Sequence, residues 1–137
     1  MSQKQTLQWA LQRPKKLFLI DGLGACLSAF LLGVVLVEFE SLFGIPLGTL
    51  YFLALLPCLF ILFDVYCYRT NSQNTAKHLL AIAFMNIGYC VLSLGFMVYH
   101  SDSMTSFGFG YIILEVIVVL GIAAFEIKVA KGLGFDN

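Results

Sequence analysis

Four long apolar runs, residues 17–37, 49–68, 78–99 and 107–129, are set apart by short polar connections. Apolar residues run continuously within each stretch, whereas the strands of a membrane β-barrel alternate. At 1.5 Å rise per residue each run forms a helix of about 30 Å, the thickness of a bilayer's hydrocarbon core. Short connections make sequential helices antiparallel neighbours. The pattern therefore predicts an all-α fold, an integral membrane antiparallel four-helix bundle. The first connection is broken by Gly44, Pro46 and Gly48, the second reads RTNSQNTAK and the third HSDSMTS. Residues 1–16 precede the bundle. Leu7, Ala10 and Leu11 would share one face of a short interfacial helix from about Thr6, with Trp9 at headgroup level and Pro14 ending it. The same residues also suit a segment with no fixed structure. A tail, 130–137, follows the last run.

Charge assigns the orientation. Lys4, Arg13, Lys15 and Lys16 precede the first run, Arg69 and Lys77 lie between the second and third, and Lys128 and Lys131 close the fourth, which accounts for all 8 basic residues. The other two connections carry only Glu38, Glu40 and Asp102. This is the positive-inside pattern, with both termini cytoplasmic. Hydrophobic residues make up 60% and charged residues 12% of the chain, well away from the composition of a soluble domain. Net charge is zero, so nothing points to nucleic acid; the expected contacts of the basic residues are membrane lipids. The first run is too long for a signal-peptide core. Leu23-Gly24-Ala25-Cys26 loosely matches a lipoprotein processing site, but the residues after Cys26 stay apolar, so processing is not expected. Cys26, Cys58, Cys67 and Cys90 form no Cys-x-x-Cys pair and are expected as small buried apolar fillers.

Ionisable residues inside the runs are the strongest functional signal in such a chain. Asp21, Asp64 and Glu115 are clear cases, and apart from Lys128 at the very end of the fourth run no Lys or Arg lies inside a run to pair with them. Glu126 is expected near the cytoplasmic surface because Lys128 is close. Counting from the basic flanks places Asp21 and Asp64 level, each roughly 7 Å below the boundary, and Glu115 roughly 20 Å deep. Asp21, Ala25, Ala29 and Gly33 form a small-residue row suited to close helix approach. Asn86, Tyr89, Cys90 and Ser93 make a polar stripe on the third run, and Tyr111, Glu115, Ile122 and Glu126 align on the fourth. A lone carboxylate near the midplane is unfavourable by about 3 kcal/mol or more, so Glu115 is expected to be protonated, to meet a cation or to face a water-filled cavity. The candidate ligand- or cation-binding residues are thus Glu115, Asp21, Asp64, Asn86 and Tyr89. Cys26, Cys58 and Cys90 fall at similar depths near Glu115, but three single cysteines on three helices are a weak basis for a metal site. No nucleophile elbow, phosphate loop or zinc-protease motif is present, and no cofactor is implied.

The stretches RPKKLFLIDGLGACLSAFLLG, PCLFILFDVYCY and YIILEVIVVL resemble small four-span bacterial membrane proteins. The resemblance covers most of the chain. It implies a bacterial inner-membrane address and carries no activity. Three readings follow: a non-enzymatic bundle that binds a cation, a proton or a lipophilic amine, as a small carrier or accessory subunit; a membrane enzyme using Glu115 with Tyr89 or Tyr111 on a lipid or isoprenoid; and a structural assembly factor. Four helices enclose little room, so a homo-oligomer or a larger membrane partner is compatible with the first.

Overall fold

The computed structural model describes residues 2–70 and 72–134; Asn71 of the second connection and 135–137 of the predicted tail lie outside the described residues. Every regular element among them is helical. The predicted interfacial segment is helix α1, Gln3–Gln12, and it starts earlier than Thr6 because a capping box holds its first turn: Gln5 N–H donates to Ser2 Oγ and Ser2 N–H donates to Gln5 Oε1. Helix α2 runs Lys16–Glu38 and contains a π-helical turn at Leu31–Val35. A short α3, Glu40–Phe43, leads to α4, Leu47–Arg69. A 3₁₀ turn precedes α5, Thr75–Tyr99, and α6 spans Ser106–Gly132. The predicted runs thus lie inside helices that extend a few residues further. At α6 the cause is local: Thr105 Oγ1 accepts from Gly108 N–H and caps the first turn.

Three helices, α2, α4 and α5, are long and apolar enough to cross a membrane. Their outward faces carry Leu23, Leu62, Phe84 and Val91, all largely exposed, which in water would be a severe liability. In lipid the hydrophobic effect does not hold such helices together; close packing and polar contacts between them do. Helix α2 packs along α4 and α5 along α6 over long contacts, and α4 meets α5 over a narrower one. The small-residue row acts as expected: a Cβ on Gly33 would lie 3.3 Å from Ala54 Cβ, so the α2 and α4 backbones approach closely there.

Both ends of the helices are tied. At one end Gly44 adopts φ 69° and sits so close to the Ser103 carbonyl that a Cβ would collide with it. Thr105 N–H donates to the Phe43 carbonyl at 3.2 Å, and Thr49 Oγ1 meets His100 Nε2 at 2.9 Å. At the basic end Lys15 Nζ donates to the Thr70 carbonyl at 2.6 Å, and Leu11 of α1 packs on Gly132 of α6. Ala10 is fully buried, so α1 is seated on the helices above it.

Candidate functional site

The polar interior forms two groups. In the first, Asn86 on α5 donates from Nδ2 to Asp21 Oδ1 on α2 at 2.8 Å. Asp64 on α4 abuts α2 directly behind Asp21, and a Cβ on Gly22 would lie 3.7 Å from its Oδ2. The two aspartates are level on neighbouring helices, as counting from the basic flanks predicted. Glu126 on α6 faces the same group, against Asp21, Asp64 and Asn86.

Glu126, expected toward the cytoplasmic end of its run because Lys128 is close, lies beside Asp21 and Asp64, on the inward side of α6. It is 1% exposed, more deeply enclosed than Asp64 at 2%. The available signal was its helical alignment with Glu115, Ile122 and Tyr111. Among the described residues, neither oxygen of Glu126 or of Asp64 has a hydrogen-bond partner, nor has Asp21 Oδ2.

The second group surrounds Glu115. The Tyr89 hydroxyl donates to Glu115 Oε2 at 3.1 Å, and Ser28 on α2 and Tyr111 on α6 lie beside the same carboxyl. Glu115 Oε1, the Tyr111 hydroxyl and Ser93 Oγ have no partner among the described residues. Ser28 and Tyr111 were not among the predicted site residues. A serine on the first run gave no sign of which helix it would face, and Tyr111 entered as an acid–base partner of Glu115 in the enzyme reading.

A cavity of about 230 Å³ joins the two groups. That is far more than the ~10–15 Å³ that admits one water molecule. Four of the five predicted residues line it: Asp21, Asn86, Tyr89 and Glu115. Asp64 does not; it stands behind Asp21. Pro57 and Phe60 close the wall from α4, while Leu27, Leu31, Leu114, Val118, Val119 and Ile122 make the rest apolar. The cavity is thus an apolar slot with carboxyls at its back, and two helix irregularities border it. Leu31 begins the π-helical turn of α2, and Pro57 lacks the N–H that would bond to the Leu53 carbonyl.

No family model, curated protein or solved structure matches the chain. The chemistry of the site is therefore read from its own residues.

Among those described, no group of three or more His, Cys, Asp or Glu could hold a metal ion. The cysteines depart from expectation: Cys67 and Cys90 are buried, but Cys26 and Cys58 face outward, and all four are free thiols. With Cys26 and Cys58 on outer faces, the weighed thiolate site with Cys90 does not assemble. The arrangement can accept hydrogen bonds and stabilise positive charge beside an apolar surface. Among the described residues, the hydroxyl and amide donors that line the cavity are neutral, namely Ser28, Asn86, Tyr89 and Tyr111.

Proposed function

We propose that the chain is a multi-pass protein of the bacterial inner membrane whose cavity binds a lipophilic amine, as a small carrier or as the ligand-binding subunit of a larger one. In this reading α6 is a fourth crossing, the helices form an antiparallel four-helix bundle, and both termini are cytoplasmic. The charge distribution supports this orientation, since every Lys and Arg flanks the same side of the runs.

One observation carries the ligand assignment. Glu115 lines an apolar cavity with one oxygen held by Tyr89 and the other without a partner among the described residues, and no basic side chain lines the cavity to neutralise it. An ammonium group satisfies both needs at once, because it donates hydrogen bonds and brings the missing charge. Its carbon chain then covers Leu27, Leu114 and Val118, which line the same cavity.

A thermal-shift screen of purified protein in detergent tests the reading, with amines, matched alcohols and fatty acids as ligands. Amines at a hundred times their Kd should stabilise the wild type by about 2.7 kcal/mol. Glu115→Gln should lose that shift. Equal shifts for alcohols and amines would sink the assignment. Turnover of a bound lipid that stops in Glu115→Gln, while binding persists, would favour acid–base catalysis by the Tyr89–Glu115 pair instead. Indifference to every ligand and to the substitution would leave a structural role.

A further inference from the structure

The cavity has its opening on the flank of the molecule, between α2 and α6. These two helices make none of the extensive contacts that join α2 to α4 or α5 to α6. The cavity residues at the gap, Leu27 on α2 and Leu114 and Val118 on α6, are each more than half exposed, so the same side chains line the interior and face outward. Gly24 lines this cavity from α2, and the space beside it is open: a Cβ there, or on Gly121 of α6, would meet nothing within 4 Å. A second hollow continues the seam toward the basic end, sharing Val118 and Ile122 with the first and reaching Trp9 of α1 and Glu126.

The two ends of the helices are packed. At the loop end the Phe43 ring stands edge-on to Tyr111 at 6.3 Å, and Gly108 is pressed against the Phe43 carbonyl. At the basic end Phe18, Asp21, Asp64 and Glu126 are buried and α1 is seated across α6. The most exposed side chains at the gap, Leu27, Leu114 and Val118, are apolar and lie on helices whose outer faces suit lipid. A solute arriving there arrives from the bilayer.

We propose that the seam between α2 and α6 is a lateral portal, through which a single-chain amine already dissolved in the bilayer slides its head to Glu115 and leaves its chain along the seam. This rests on the amine-binding reading above and adds the route and the physical form of the ligand. Charge complementarity selects the occupant. Asp21 and Glu115 line the slot, each with one carboxyl oxygen that has no partner among the described residues, and the exposed side chains at the gap are hydrocarbon. A neutral acyl chain would leave those oxygens unmet.

The test uses the full chain reconstituted in phosphatidylcholine vesicles, with tritiated dodecylamine as probe. Gly24→Trp and Gly121→Trp each place a bulky ring in the open gap, and Val91→Trp places one on an exposed face of α5 outside both hollows. Either seam variant should slow dodecylamine association at least ten-fold, with Val91→Trp unchanged. The two seam variants act from different helices, so loss of assembly in one leaves the other to decide. If both seam variants bind at the wild-type rate while Glu115→Gln binds nothing, the portal is refuted and the cavity reading stands. If the wild type retains no dodecylamine, the failure lies in the cavity reading itself. Equal retention of tritiated dodecanol would make the occupant a plain lipid chain. Efficient disulfide pairing of copies carrying Gly121→Cys would make the seam an interface with a second copy. Either result overturns the proposal.

Discussion

Replacing Tyr89 by phenylalanine deletes one oxygen and leaves a ring. That ring keeps its edge contact with Phe60, at 6.2 Å between centroids and 77° between planes, so the loss is confined to the 3.1 Å hydrogen bond to Glu115. Both Glu115 oxygens are then buried without a partner, and such an orphan is unfavourable by about 1–3 kcal/mol. Glu115→Leu removes the carboxyl and orphans the Tyr89 hydroxyl instead. The double variant removes both partners and is expected to recover most of the stability, since paired replacement by apolar groups of similar shape is close to neutral. The coupling energy should lie between about 0.6 kcal/mol, typical of interhelical hydrogen bonds in membranes, and about 2 kcal/mol. Equilibrium unfolding of the four proteins by SDS in mixed micelles, followed by circular dichroism, measures it. Additivity of the two single changes within about 0.3–0.5 kcal/mol would mean that the pair does not interact, and the description of the site would fail.

Three further outcomes are expected. Glu126→Leu should raise stability by about 1–3 kcal/mol in the same unfolding assay, because it replaces a buried group with two unpartnered oxygens; a loss of stability would reveal a partner for it. Gly44→Ala should lower the melting temperature sharply, since the φ of 69° and the collision with Ser103 both penalise a Cβ, whereas Gly95→Ala, with open space around it, should not; equal melting of the two would contradict the tie between the loops. In a background without native cysteines, Glu40→Cys and Asp102→Cys should react with an impermeant maleimide on intact cells and Lys131→Cys only after permeabilisation, and the reverse pattern would invert the proposed topology.

The helices were legible because lipid imposes one requirement, an unbroken apolar run long enough to satisfy its own backbone. Their ends were less so, since Ser2 with Gln5 and Thr105 with Gly108 extend helices by caps that hydropathy does not register. Helical spacing correctly grouped Asn86 with Tyr89, and depth counting set Asp21 beside Asp64. Which carboxyl each would face depended on how α5 rotates against α2 and α6, and a pattern along one helix does not contain that rotation. The outward Cys26 and Cys58 were misread for a related reason, since an apolar run gives no sign of which side meets lipid. The cavity lies between helices that make no extensive contact, α2 and α6, and no local signal records that.

Equilibrium binding of tritiated dodecylamine to the reconstituted protein, wild type against Glu115→Gln, goes to the centre of the account. Saturable binding of one amine per chain is expected in the wild type. A charge-assisted hydrogen bond contributes about 1.5–3 kcal/mol, so Glu115→Gln should weaken binding roughly 10- to 150-fold. Indistinguishable isotherms for the two proteins would show that the carboxylate in the cavity does not hold the ligand.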